Sequence, residues 1–163
     1  MKNLLICLII VGFVIHTNAQ DQKISTLATV GVTSPILDSG LGFHVGINPS
    51  FRVSEKFSGE GQISYMYTRI KSSFLSGDTG FVSTVNTLVG GRYYLSTEDK
   101  ETRFFLNFLI GINYINEEEN GIEKDGELNV GLSAGSFVDF NGIIIGLTYD
   151  TPQNMVLKVG YSF

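Results

Sequence analysis

The sequence predicts an all-β protein, an eight-stranded antiparallel up-and-down transmembrane β-barrel. Three observations lead there. Apolar residues recur with a period of two in eight separate segments. Short turns and longer polar loops alternate between those segments. In most segments one column of alternate residues is apolar and the other is rich in Gly, Ser and Asn. A strand sends successive side chains to opposite faces, so each segment has one greasy face. Composition agrees. The 163 residues suit one domain. The 19 Gly, 12 Phe and 7 Tyr favour strands over helices. Only 17% of residues are charged, which argues against disorder. A net charge of −5 and a pI near 4.9 exclude a typical nucleic-acid binder.

Residues 1–19 read as a cleaved secretory signal peptide. Met1-Lys2-Asn3 is a short positive start, Leu4 to Ile15 is an apolar run, and Thr17 and Ala19 supply small residues before the cut. The apolar run is too short to span ~30 Å of hydrocarbon as a helix. Cys7 is the single cysteine and leaves with this segment. Residues 20–163 then form the barrel domain, with no thiol for a disulfide, for catalysis or for zinc. Losing Lys2 leaves 10 basic and 16 acidic residues.

The first strand, Ile24 to Val32, is the weakest, with Ile24, Ala28, Val30 and Val32 in its apolar column. Leu41 to Val53 is the second and contains Pro49. A closed barrel has no edge to hide a missing N–H, so a bulge is expected there. Phe57 to Thr68 and Thr84 to Leu95 are the third and fourth. Arg103 to Asn116 is the clearest: Phe104, Leu106, Phe108, Ile110, Ile112 and Tyr114 alternate with Arg103, Phe105, Asn107, Leu109, Gly111 and Asn113. Leu128 to Phe140, Ile143 to Tyr149 and Met155 to Phe163 complete the set.

Ser54-Glu55-Lys56 and Asn141-Gly142 are tight turns, the second a strong hairpin signal because a type I′ turn needs φ > 0 at both positions. Ser96 to Thr102 is a longer turn. Thr33 to Gly40, Lys71 to Gly80, Asn116 to Gly126 and Asp150 to Asn154 lie at the opposite end. Short turns at one end and mostly longer loops at the other are the layout of a transmembrane barrel.

The apolar column is expected outside. Phe43 and Phe51, Phe57 and Tyr67, Phe81 and Tyr93, and Phe104 and Tyr114 stand near opposite strand ends, 8 to 12 residues apart. Ten residues at ~3.3 Å, tilted ~40°, climb roughly 25 Å, the height of the apolar band between aromatic girdles. Arg69 then falls in the headgroup layer, where its guanidinium can snorkel. A soluble lipocalin-like barrel binding a small apolar ligand is the second reading. It requires the apolar column to face inward.

The last strand alternates Leu157, Val159, Tyr161 and Phe163 up to a terminal aromatic. Here the chain resembles the small eight-stranded outer-membrane barrels of the OmpA/OmpX type. The resemblance is one of pattern and covers residues 20–163. It implies a monomer in the outer membrane of a Gram-negative bacterium, with outer-membrane lipid around it. It also implies Tyr161 and Phe163 as a signal read by the barrel-assembly machinery.

The chemistry-bearing residues are few. With strands three and four paired about the loop near Gly77, symmetric numbering brings Glu60 opposite Arg92, both inward, and Arg52 and Lys158 are expected to join them as a polar plug. A barrel of ~8 strands has room only for side chains, so no open pore is expected. His44, the lone histidine of residues 20–163, has no Gly-x-Ser-x-Gly or His-Glu-x-x-His partner motif. A lipid-modifying enzyme is therefore the third reading, and no catalytic, cofactor or metal site is expected. Glu117, Glu118, Glu119, Glu123 and Asp125 make a dense acidic loop without calcium-loop spacing, a candidate surface contact for an unknown partner. The expected role is a filled-lumen structural or surface-interaction scaffold.

Overall fold

A computed structural model describes residues 24–34, 41–72, 78–96, 101–119, 122–152 and 154–163. The signal peptide and Cys7 lie outside the described residues, as do Asp38-Ser39-Gly40 and Ser76-Gly77. The strands are β1 (Ile24–Ser34), β2 (Gly42–Arg52), β3 (Phe57–Ser72), β4 (Asp78–Tyr94), β5 (Thr102–Glu119), β6 (Ile122–Glu123), β7 (Glu127–Phe140), β8 (Ile143–Asp150) and β9 (Asn154–Ser162). β6 is a two-residue ladder on the end of β5. The other eight pair antiparallel in up-and-down order, and the β1–β9 pairing closes the wall. No helix among the described residues is long and apolar enough to cross a membrane, which says nothing of a β-barrel.

The register fixes the barrel's shape. Starting at Ser58, cross-strand partners run through Arg92, Asn107, Gly135, Thr148, Val156, Thr33 and Gly42 and return to β3 at Thr68, ten residues further on. Eight strands with that stagger tilt by about 40° and enclose a wall of radius about 8 Å, given the usual strand spacings. Side chains alone can fill such a bore.

The alternation sorts the faces as expected. Val30, Ile63, Val89, Phe108, Ile110 and Ile112 point outward and are exposed, whereas Asn48, Gln62, Asn86, Asn113 and Thr148 are buried inside. This arrangement is the reverse of a lipocalin-like barrel. Outward glycines at the turn end lie beneath aromatic rings: Phe51 covers Gly59, and a Cβ on Gly91 would stand 2.6 Å from Phe57 Cζ. The rings cover surface that glycine cannot, which accounts for two gaps in the apolar columns.

Asn141 and Gly142 have φ of 52° and 92°, as a type I′ turn requires. Phe140 faces Ile143 across it. Two expectations need correcting. Pro49 sits in no bulge. β2 and β3 keep one register from Ile47↔Ile63 to Ser50↔Glu60, and the ladder simply lacks the two pairings between. Gly61 opposite has no side chain to meet the ring, and a Cβ there would stand 3.8 Å from Pro49 Cγ, in ordinary van der Waals contact. Several strands are also longer than the apolar pattern showed. β3, β4 and β5 pair onward through Ser72↔Asp78 and Gly80↔Glu119, although β2 stops opposite Thr68. Beyond the apolar band nothing selects a greasy column, so backbone pairing continues with polar side chains.

Candidate functional site

The candidate site is the lumen. Glu60 and Arg92 meet there: Arg92 Nε donates to Glu60 Oε2 at 3.0 Å, with side-chain exposures of 2% and 0%. They meet diagonally. Glu60 is paired with Gly90, and Arg92 with Ser58, two residues from the expected register. Gly90 contributes no side chain, so Arg92 reaches across to the carboxylate. Asn48 Nδ2 donates to Glu60 Oε1 at 2.7 Å and to Gln62 Oε1 at 3.1 Å. Arg92 Nη1 donates to the Tyr94 hydroxyl at 3.2 Å, and the guanidinium lies 4.5 Å above the Phe105 ring. The pair thus satisfies most of what burial would otherwise leave uncompensated.

The other two expected members lie elsewhere. Lys158 is buried, but its Nζ stands 2.7 Å from Asp150 Oδ2. Ser133 Oγ donates to the other oxygen of Asp150. Arg52 stands at the turn end, where Nε and Nη2 donate to the carbonyls of Ser54 and Glu55. Asp150 was missed because it stands where strand gives way to turn, and the alternation ran out at Tyr149. Counting the strand one residue further would have placed it inward, although opposite Asn154 and four residues from the pairing position of Lys158, Gly146.

A third pair, Arg103 with Asp139, closes the turn end. Asp139 also accepts from the Gly142 N–H at 2.8 Å, which ties it to the tight turn. Between this pair and Arg92 sits an apolar layer of Leu27, Tyr94, Phe105, Phe137 and Ile144. Phe105 and Phe137 stack with centroids 4.8 Å apart. Phe137 also lies over Gly146, where a Cβ would collide with its ring. The lumen is therefore only half polar: a greasy layer near the turns and ion pairs above it. Below that layer is a cup of about 400 Å³ lined by Ser25, Ser50, Arg52, Ser58 and Arg103.

His44 is 1% exposed, and its Nε2 lies 3.2 Å from Thr29 Oγ1. Its Nδ1 has no hydrogen-bond partner among the described residues. No group of three or more metal-ligating side chains occurs among the described residues.

The acidic residues divide. Glu117 and Glu118 lie exposed on the far end of β5, and Glu117 Oε2 is 3.5 Å from Lys124 Nζ. Asp125 is exposed beyond β6. Glu119 and Glu123 belong to β5 and β6 by backbone, and their side chains lie outside the described residues. At the opposite end, Tyr161 points outward, and the backbone of Phe163 exchanges two hydrogen bonds with Thr26. The terminal aromatic thus closes the wall as well as ending it.

Closed walls, an exposed apolar belt and a packed, half-polar bore define a small transmembrane barrel of the outer-membrane type. Solved structures share this fold. Ail, the attachment invasion locus protein of Yersinia pestis, crystallised with the heparin analogue sucrose octasulfate, superposes with a TM-score of 0.55 at 13% identity, covering 87% of this chain and 97% of Ail. Neisserial surface protein A gives 0.52 at 14%, covering 88% and 98%. The N-terminal β-barrel domain of Pseudomonas aeruginosa OprF gives 0.51 at 10%, also covering 88% and 98%. No protein-family model and no curated protein matches the sequence.

Proposed function

We propose that this protein is a non-catalytic outer-membrane barrel with a sealed lumen that presents a rigid sheet at the cell surface for interaction. The observation that carries this reading is the pairing of β3, β4 and β5 beyond the wall. From Arg69 to Ser72, β3 has left β2 behind but still pairs with β4, and β4 pairs with β5 up to Glu119. A hydrogen-bonded sheet on a closed barrel is a stiffer platform than a loop. It carries Arg69 on one strand and Glu117 and Glu118 on another. A partner would be met there, with lipid around the apolar belt and the assembly machinery engaged only during insertion. Ail and Neisserial surface protein A, by their names an attachment protein and a surface protein, are consistent with a surface role.

The layered lumen supports the sealed reading, since the Phe105–Phe137 stack and the Glu60–Arg92 pair occupy successive levels. Fractionation tests the location: the protein should partition with outer membranes and migrate differently on gels with and without boiling. Recovery in the periplasmic soluble fraction would overturn it. Planar-bilayer recording tests the seal, and steady conductance by the wild type would refute it.

A further inference from the structure

The wall is much lower on one side than on the other. At the turn end the outward residues lie near one level around the barrel, including Phe51, Phe57, Tyr93, Phe104, Phe140 and Ile143. At the loop end they do not. β5 carries outward residues from Phe104 to Tyr114, ten residues, which climbs about 25 Å at a 40° tilt. β8 carries them only from Ile143 to Tyr149, six residues, or about 15 Å. The hairpin above it is minimal, because Asp150 pairs with Asn154. The apolar belt therefore dips by about 10 Å at β8, against a typical belt of about 25 Å.

A second observation lies in the same notch. β7 pairs with β8 only up to Ser133↔Asp150, and Leu132 is met by Thr151. From Glu127 to Gly131, β7 keeps β5 on one side and has no ladder partner on the other among the described residues. That free edge stands beside the level of Ile112 and Tyr114, inside the belt of the tall wall. Unpaired backbone groups facing hydrocarbon are too costly to persist.

We infer that the notch above the β8–β9 hairpin is filled by lipid headgroups and their water, drawn down to a locally thinned outer leaflet. Headgroups supply the donors and acceptors that the Glu127–Gly131 edge lacks. Thinning matches the leaflet to the short apolar column of β8. Both needs are met by one occupant. A membrane accommodates a short hydrophobic span by such thinning. The inference rests on the outer-membrane reading.

Residues 20–163 contain no cysteine, so single-cysteine spin labels can be placed cleanly. The test uses Tyr149→Cys on the low wall and Val85→Cys on the tall wall, refolded into phosphatidylcholine vesicles. Heat-modifiable gel mobility checks insertion separately, so loss of the membrane reading is distinguishable from loss of this one. Tyr149 stands six residues from the turn-end level and Val85 eight, so a flat membrane buries Tyr149 at least as deeply. The thinned leaflet predicts the reverse: several-fold greater collision of a water-soluble nickel chelate with the label at 149 than at 85, growing with acyl-chain length. Equal accessibility would overturn the inference. So would dipolar broadening between labels at 149, which would mean a second copy fills the notch. Unequal depths for labels at Phe57→Cys and Ile143→Cys would overturn it too, because the barrel would then be tilting as a rigid body.

Discussion

Removing one partner of the Glu60–Arg92 pair should cost far more than removing both. At 3.0 Å and an effective dielectric near 20, the attraction between two unit charges is about 5.5 kcal/mol. That gain is largely spent on taking both groups out of water, so the pair adds little net stability over an apolar replacement. A lone survivor keeps the desolvation cost without the gain, which sets the loss at ~3–5 kcal/mol. The surroundings make the two deletions unequal. In Glu60→Gln, Arg92 retains the Tyr94 hydroxyl and the Phe105 ring, which hold the loss near ~3 kcal/mol. In Arg92→Met, the Glu60 carboxylate keeps only Asn48, and the loss should approach ~5 kcal/mol. The double variant should recover most of either loss. The assay is a double-mutant cycle on urea unfolding in lipid, followed by circular dichroism because the chain has no Trp. Additivity within ~0.5 kcal/mol would show that the two side chains are not coupled and would refute the reasoning.

Depth should govern charge on the outer face: Ile110→Arg at mid-belt is expected to cost ~2–4 kcal/mol, and Asn116→Arg, beyond Tyr114 in the same column, ~0–1 kcal/mol, by the same unfolding assay. Equal costs would contradict the orientation of the belt. Gly59→Ala has only to push aside the tip of the exposed Phe51 ring, so stability should change by no more than ~0.5 kcal/mol in the same assay, and a larger loss would show that the ring is held in place. Deleting Phe163 should reduce insertion in cells more than refolding in detergent. Equal losses would leave only its backbone bonds to Thr26 as the cause.

Much of the molecule was legible in the sequence because a membrane barrel obeys one local rule. Period-two alternation needs no knowledge of the partner strand, so faces, strand count and turn ends could be read from residues such as Phe104 to Tyr114 alone. The Asn141-Gly142 turn was legible for the same reason, since its backbone demand is local. Pairing was less accessible. That Glu60 and Arg92 share the lumen followed from alternation, but the two-residue offset between them is set by the β3–β4 register, which the loop sequence does not fix.

Tertiary structure alone decided who meets whom. Lys158 reaches Asp150 although the β8–β9 register sets it opposite Gly146, and Arg103 meets Asp139 because the β5–β7 register sets them opposite each other. The apolar layer of Leu27, Tyr94, Phe105, Phe137 and Ile144 draws on five strands, and in each column its member looked like an exception among polar residues. The uneven rim is also invisible locally, since strand ends beyond the belt are held by pairing rather than by hydrophobic pattern. Alternation fixes which way a side chain points; the stagger and closure of the barrel fix its height and its neighbours, and those are properties of all the strands together.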